Sequence, residues 1–335
     1  MLTDLIKKND YVGFSSNYQP STGDILDQLF PNEKTSNMKV ATARVKKSPY
    51  KIMANVHSFD TEANIAERVP FEELEVSKLL VKEKIQLSEE YEAMADELKD
   101  TSSIKDYIFD DMGNMSDRVA TRIKVMKAEA LYSGKITIKE NNVNTEIDFQ
   151  MPSDNKVSFV WSSTPAILTN IKTIVDKATA KGYKLTRCVT SSENISKMQM
   201  DETIRGAIFG ANSAMIPTVA QLNAYLYQMF GIVFVAYDDM YRFRKANGTV
   251  ETKRYIPADK MVFFGGALTD TVGKCIFGIT PTERNAKIDA KTSKNIYVMN
   301  NVWVTEDPVA TWTKAEAVAV PVIADVDNIF VATVS

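Results

Sequence analysis

The chain has 335 residues, of which 44% are hydrophobic and 25% are charged, and its formal net charge is −3. This length fits one large domain or two of ordinary size, and the small acidic charge argues against tight binding to nucleic acid or to an anionic membrane. With one histidine and two separated cysteines, the sequence nearly excludes a zinc or other soft-metal site, so we expect neither a metal nor a cofactor.

The N-terminal stretch, residues 1–37, is polar and has breaks at Pro20, Gly23 and Pro31. It predicts an extended arm that gains order by lying on another surface. The first residues contain no apolar run typical of a signal peptide, and no apolar run in the chain approaches the length that spans a membrane.

Residues 38–84 predict two strands joined by a charged excursion. Residues 38–56 alternate apolar and polar side chains and are basic, and residues 76–85 return as a second strand. The connection is acidic, with carboxylates at Glu62, Glu67, Glu72, Glu73 and Glu75. We therefore expect a projecting loop at about 50–75, whose charge keeps it soluble and away from sheet edges.

The clearest predicted element is one long amphipathic helix, in which apolar residues at steps of three and four form a single stripe about 40 Å long. The stripe consists of Ile104, Ile108, Met112, Met115, Val119, Ile123, Met126 and Ala130. Gly134 is placed to end the helix. The polar side is acidic first and basic later, at Arg118, Arg122 and Lys124, which suits the helix dipole. So long a helix, in a chain with little catalytic equipment, indicates an architectural role.

The remaining sequence mixes strands with shorter helices. A hairpin is predicted from residues 135–139 and 146–150 around Asn141-Asn142. The apolar face of the next helix carries Ile167, Ile171, Ile174 and Ala178. Further helices are predicted at 193–208 and 218–229, and strands at 187–190, 232–237, 261–264, 296–304, 309–322 and 329–334.

No pattern in the sequence gives strong support to an enzyme. His57 stands beside Ser58 and Asp60, but neighbours on one loop cannot hold a base between a nucleophile and an orienting carboxylate. Asp238 and Asp239 follow a predicted buried strand as a candidate carboxylate pair, without a partner acid or a pocket, so a capped turn is the better interpretation.

Two other stretches mimic ligand-binding loops without having their spacing. Gly265-Gly266 and Gly273-Lys274-Cys275 stand too far apart for a phosphate loop, and the cysteine replaces the hydroxyl residue that binds Mg²⁺. Asp325-Val-Asp327 lacks the further ligands and the glycine of a calcium loop. We expect a loop between two strands and a turn before the last strand.

The segment from Arg118 to Ile136, with the hairpin that runs on to Phe149, resembles the part of lambda-type major capsid proteins (the phage protein E family) that closes their long spine helix. Further similarities follow in the same order along the chain: Trp161, Tyr237-Asp238, Asn247-Gly248, Tyr255-Ile-Pro257, Trp303 through Pro308, and Ala319-Val-Pro321. The resemblance extends from about residue 38 to the C-terminus. No single piece is a signature, and the order and spacing of the pieces carry the resemblance.

The resemblance implies the Hong Kong 97-type capsid fold, an α+β fold with several characteristic parts. Its parts would be an N-terminal arm at 1–37, β-strands at 38–84 with a projecting E-loop at about 50–75, a P-domain with the spine helix and hairpin at 85–164, a mixed α/β A-domain around the capsomer axis at 165–280, a P-domain return with a loop at 281–316, and a C-terminal strand returning to the A-domain at 317–335. The P-domain loop would place Trp303, Asp307 and Pro308 near local three-fold contacts.

The resemblance also implies a function, that of a structural protein and not an enzyme. A major capsid protein of this kind assembles into hexamers and pentamers of an icosahedral shell that encloses the double-stranded DNA of a tailed phage or prophage. The implied partners are other copies of the chain, a separate scaffolding protein because the N-terminus is too short for a fused one, a portal, a decoration protein, and packaged DNA held by weak non-specific contact. No membrane is involved. The implied location is the virion capsid, assembled in the bacterial host cytoplasm.

Two alternatives stay open at the level of the sequence. The first is an encapsulin-like protein compartment, which has the same fold and a protein cargo. The second is an unrelated α/β enzyme that uses Asp238 and Asp239.

Opposite charge suggests one contact between copies. We expect the acidic E-loop of one copy to dock on the basic helix side of its neighbour. The acidic partners are Glu62, Glu67, Glu72, Glu73 and Glu75, and the basic partners are Arg118, Arg122 and Lys124. Because exposed ion pairs contribute only about 0.2–1 kcal/mol each, they would set orientation while apolar contacts supply the affinity.

Overall fold

The structure is a computed structural model of the chain. It describes residues 13–14, 24–45, 53–54, 62, 71–87, 101–140, 143–161, 166–211, 213–245, 247–267, 270–285, 292–294, 297–306 and 309–335. Contacts divide the chain into two compact units. Unit 1 comprises 1–40, 76–127 and 273–322, and unit 2 comprises 41–75, 128–272 and 323–335.

Helices and strands alternate irregularly along the described residues, as expected for an α+β chain. The helices are α1 (Ile25–Leu29), α2 (Thr101–Ser133), α3 (Ile167–Ala180), α4 (Ser192–Met200), α5 (Glu202–Phe209), α6 (Val219–Phe230) and α7 (Pro281–Arg284). The strands are β1 (Asn32–Lys34), β2 (Lys39–Val45), β3 (Phe71–Ser77), β4 (Leu79–Leu87), β5 (Lys135–Glu140), β6 (Val143–Asp148), β7 (Lys156–Phe159), β8 (Leu185–Thr190), β9 (Val233–Ala236), β10 (Met240–Arg244), β11 (Val250–Arg254), β12 (Lys260–Gly265), β13 (Gly273–Phe277), β14 (Thr292–Lys294), β15 (Met299–Glu306), β16 (Val309–Ile323) and β17 (Ile329–Val334).

Unit 1 is built around the long strand β16. Its sheet has the order β1-β13-β16-β15-β14, and β4 also pairs with β16. Residues 309–316 of β16 pair with β15, and residues 311–319 pair with β4, both antiparallel. The second part of β16, residues 317–323, is buried and apolar at every position and not only at alternate ones.

The long helix α2 confirms the central prediction from the sequence. It runs for 33 residues, and every stripe residue whose side chain is described, from Ile108 to Ala130, is buried. Ile108 and Met112 pack against Val302 of β15. The stripe is therefore core, while the side chain of Ile104 lies outside the described residues.

Gly134 ends the long helix, as the sequence predicts. Its φ of +73° is left-handed, and its N–H donates to the carbonyl of Ala130 over 3.0 Å. A Cβ on this glycine would stand 2.6 Å from the Cβ of Met151, so only glycine fits without a shift. The predicted hairpin follows as β5 and β6, paired from Lys135 opposite Asp148.

Within the predicted arm at 1–37, the described residues include a short helix and a strand that pack into unit 1. Asp24 caps α1, and Leu26, Leu29 and Phe30 are almost completely buried in unit 1. Strand β1 then pairs in parallel with β13. The segment is short and polar on average, so its buried apolar residues give little periodic signal in the sequence.

The predicted strand at 76–85 is divided at Lys78. This residue is buried between β3 and β4, and its ammonium group donates to the carbonyls of Thr35 and Phe277 over 2.9 and 3.0 Å. Burial lowers the pKa of Lys78. Because the side chain of Lys78 is buried, the predicted strand is interrupted at this residue and its parts belong to two strands, β3 and β4. Strand β3 pairs with β2.

Unit 2 contains a five-stranded sheet in the order β7-β17-β12-β8-β9. β12 lies antiparallel to both neighbours, whereas β7 and β9 are parallel to theirs. Its core joins the sheet to helices α3 to α6, with Phe263, Phe330, Ile171, Met198 and Leu226 among the buried residues. The predicted strands 187–190, 261–264 and 329–334 are confirmed.

The predicted helix at 193–208 is two helices. Asp201 ends α4 and caps α5, where its side chain accepts from the backbone N–H of Ile204 over 2.9 Å. The side chain of an aspartate accepts hydrogen bonds from backbone N–H groups that have no partner in the first turn of a helix, so it favours the start of a new helix. The apolar pattern continues through this position, which is why the sequence predicted one helix.

Candidate assembly surfaces

The basic side of α2 is largely occupied by residues of its own chain. Lys124 forms an ion pair with Asp24 over 2.8 Å, and both side chains are mostly buried. Arg118 pairs with Glu83 over 2.6 Å at an exposed position. The sequence shows that one side of the helix is basic, but it does not show that acidic residues of the N-terminal segment and of β4 form ion pairs with that side.

The acidic residues expected to dock on that side are described only in part. Glu62 and Glu75 are exposed, and Glu72 and Glu73 lie in strand β3, their side chains outside the described part. Glu67 lies outside the described residues, as does most of the predicted E-loop. Within the chain, Arg118 and Lys124 pair with Glu83 and Asp24, which are not members of the acidic set, and the pairing of the two sets between copies remains a prediction.

The aromatic residue predicted for the P-domain loop lies in a strand. Trp303 belongs to β15 and pairs directly across from Trp312 of β16, with the ring centroids 6.4 Å apart and nearly parallel. The ammonium group of Lys84 stands 3.9 Å from the ring centroid of Trp312. Asp307 and Pro308 lie outside the described residues, between the paired residues Glu306 and Val309.

A surface that the prediction missed lies between α5 and β9. Residues 206–237 contain no Asp, Glu, Lys or Arg over 32 positions, although a quarter of the whole chain is charged. The large apolar residues in this run that are about half exposed are Met215, Ile216, Val219, Tyr227 and Met229, and we name these five the charge-free surface. Exposed apolar and aromatic residues without charges are typical of protein interfaces, so the missing charge was the signal in the sequence.

The hairpin of β10 and β11 has two chemically different faces. Residues directly opposite in an antiparallel pair share a face, which places Arg242 with Thr252 and Arg244 with Val250. The other face carries Tyr241 and Phe243, whose rings pack with each other, and Tyr241 also packs with Tyr255. The aromatic face anchors the hairpin, and the face with the arginines points to solvent.

The candidate carboxylate pair of an enzyme is a structural ion pair instead. Asp238 accepts hydrogen bonds from the backbone N–H and hydroxyl group of Ser192 and pairs with the guanidinium of Arg254. Burial alone would raise the pKa of Asp238, but these partners outweigh it and hold the pKa below the ordinary range. An aspartate that stays ionised and paired is not a general acid, and the geometry gives this site no acid–base role.

The other sites that imitate chemistry are also structural. Gly273 and Cys275 lie in strand β13, and Asp325 accepts from the N–H of Asp327 in the turn before β17. Burial raises the pKa of Cys275 to about 12 and that of Cys188 well above its usual value, so neither thiol is reactive. Among the described residues no cluster fits a metal ion, and no helix could span a membrane. His57 lies outside the described residues.

The sequence matches the family profile of phage major capsid protein E over residues 16–334. The chain belongs to that family. Its fold is the Hong Kong 97-type capsid fold, as the resemblance predicted, and this capsid protein acts structurally, in a shell built from copies of itself.

Two solved structures show the same fold. The crystal structure of a protein assigned as the capsid protein of a prophage in Escherichia coli CFT073 has a TM-score of 0.60 at 15% identity, over 98% of this chain and 99% of that one. A phage-related protein from Bordetella bronchiseptica RB50 has a TM-score of 0.56 at 11% identity, over 96% of this chain and 94% of that one. No curated protein sequence matches this capsid protein.

Proposed function

We propose that copies of this chain assemble into the hexamers and pentamers of an icosahedral shell that encloses the double-stranded DNA of a tailed phage or prophage. The observation that carries the proposal is the family match over residues 16–334, together with a fold shared over nearly the whole chain.

The charge-free surface is our proposed main contact between neighbouring copies. Five apolar side chains about half exposed, in a run of 32 residues without charge, leave no electrostatic obstacle to close packing. Full burial of such a side chain is worth about 1.5–3 kcal/mol relative to exposure, so even partial burial repeated by symmetry supplies affinity. These residues lie in unit 2, to which we assign the A-domain.

The parts of the capsid fold are assigned to this chain as proposals. Helix α2 with the sheet around β16 in unit 1 supports a P-domain at 85–164 and 281–316. Helices α3 to α6 over the sheet of unit 2 support an A-domain at 165–280, to which the segment 317–335 returns through β17. The compact units divide the chain differently, since they group residues 128–164 with unit 2 and residues 273–280 with unit 1.

We propose that the acidic E-loop of one copy contacts only part of the basic set on α2 of its neighbour. Lys124 is mostly buried against Asp24, whereas Arg118 has an exposed side chain whose partner Glu83 is itself exposed. An exposed pair of this kind exchanges partners at little cost, so Arg118 is the member able to accept an acidic loop from a neighbour. The variant Glu72→Lys/Glu73→Lys should impair shell formation while the subunit stays folded. Normal shells from this variant would rule the contact out.

The proposal extends to partners and location. The proposed partners, besides other copies of the chain, are a scaffolding protein, a portal and a decoration protein. Assembly would take place in the cytoplasm of the bacterial host, and the finished protein would reside in the virion capsid.

Electron microscopy of the purified protein tests the proposed function. We expect closed shells or isolated capsomers of five and six copies. Small soluble oligomers would contradict the proposal. Shells that contain a specific protein cargo and no DNA when isolated from the native host would support the encapsulin-like compartment instead.

A further inference from the structure

The exposed face of the β10–β11 hairpin has an excess of arginine without acidic partners. Three of the ten arginines in the chain, Arg242, Arg244 and Arg254, lie within 15 residues. We define the arginine face as Arg242 and Arg244 with Met240, Thr252 and Val250, all exposed on one side of the two strands.

The one carboxylate within the two strands is kept off this face by the register of the hairpin. Glu251 lies opposite Phe243 on the aromatic face and pairs there with Lys245. Asp238 neutralises Arg254 at the base of the hairpin. Neither Arg242 nor Arg244 has an ion pair among the described residues, so two positive charges remain without a counter-charge on the two-stranded hairpin.

The spacing of the two free guanidinium groups suits a linear array of negative charges. Residues two apart on a strand stand about 6.7 Å apart on the same face. The guanidinium group of arginine presents a planar fork of N–H donors that matches phosphate oxygens. Contacts of this kind to the phosphate backbone do not depend on the base sequence. Some exposed acidic residues of unit 2 are paired with lysines, as in Asp176 with Lys172 and Glu193 with Lys197, and are not free to bind these arginines in a second copy.

We propose that the arginine face binds the phosphate backbone of nucleic acid, which in the shell is the packaged DNA. This inference rests on the proposed function, because the shell supplies the polyanion. Each copy makes about two phosphate contacts, which is too few for tight binding by an acidic subunit but is multiplied over many copies. Such contacts hold DNA against the shell wall without fixing it in place.

Binding of a fluorescent DNA duplex to the unassembled full-length chain tests the proposal. Two phosphate contacts predict a log–log salt slope of about −1.8, which is about a 12-fold loss of affinity between about 50 and 200 mM salt. The variant Arg242→Gln/Arg244→Gln should lose this binding and its salt dependence. The matched control Lys172→Gln/Lys197→Gln removes the same charge from two paired lysines and should retain both.

Three results would overturn the inference. They are no binding by the wild-type chain, equal loss in the variant and the control, or failure of the arginine variant alone to form shells while it remains folded by circular dichroism. The last result would make the arginine face a contact between copies. If the wild-type chain formed no shells at all, the proposed function would fail whatever the duplex measurement gave, so the two failures are distinguishable.

Discussion

Asp27 and Lys127 form an ion pair that joins the N-terminal segment to the long helix, with 2.7 Å between the carboxylate Oδ1 and the ammonium Nζ. The two partners differ in exposure, since the lysine side chain is 2% exposed and the aspartate 29%. Asn32 also accepts from Lys127 over 2.9 Å. The segment before β1 is thereby tied to α2 through a buried charge.

This asymmetry predicts unequal effects of removing each partner. Asp27→Ala leaves a buried ammonium without its counter-ion and should lower the free energy of unfolding by about 3 kcal/mol, at the low end of the range for a broken buried pair because Asn32 still accepts a hydrogen bond. Lys127→Met leaves a carboxylate that water can reach and should cost less than about 1 kcal/mol. Urea unfolding of the unassembled subunit measures both. Equal losses would contradict the description.

Gly134 gives a test of how α2 ends. Gly134→Ala adds a left-handed strain of about 1–2 kcal/mol and a Cβ that meets Met151 at 2.6 Å. Gly231→Ala is a matched control, because Gly231 has a similar φ of +72° and nothing within 4 Å of its added Cβ. The first variant should be the less stable of the two in thermal unfolding. If both variants lost the same amount of stability, the close approach of Met151 would not contribute to the requirement for glycine at position 134.

Acid should remove the contribution of the Asp238 ion pair. The folded-state pKa lies below that of the unfolded chain, which is about 3.9, so the stabilisation is fully present above that value and is lost as pH falls through the folded-state pKa. Asp238→Asn should therefore be less stable than wild type near neutral pH, and the difference should shrink in strong acid. Unfolding free energies measured across this range give the answer. A difference that grows as pH falls would contradict the ion pair.

A charge placed on the charge-free surface should prevent assembly and spare the fold. Tyr227→Lys and Ile216→Lys each put an ammonium group at a position that is more than half exposed in the single chain, so the free energy of unfolding should change by less than about 0.5 kcal/mol. Shell yield should fall sharply because a buried unpaired charge is costly. Tyr227→Phe and Ile216→Val are the controls that keep the surface apolar. Normal shells from both lysine variants would remove this surface from the interface.

Local periodicity explains why much of the fold could be predicted. The stripe of α2, the face of α3 and the hairpin after Gly134 depend on residues close in sequence, and all three were predicted within a few residues. The division at Lys78 could not be predicted in this way. It depends on carbonyls supplied by residues 43 and 199 positions away.

The assembly surfaces were harder to predict than the fold. The sequence shows that α2 carries basic residues, but it could not show that Asp24 already binds Lys124, because ion pairing across 100 positions follows from tertiary packing. The charge-free surface could have been predicted from the sequence, because residues 206–237 contain no charged residue. The periodicity that predicts helices and strands does not indicate charge depletion, so it did not predict this surface.

Cryo-electron microscopy of particles assembled from the purified wild-type chain tests the central claim most directly. The account predicts closed shells of hexamers and pentamers in which Ile216 and Tyr227 of each copy are buried against a neighbouring copy. Small oligomers, or closed shells in which these two residues face solvent, would contradict it.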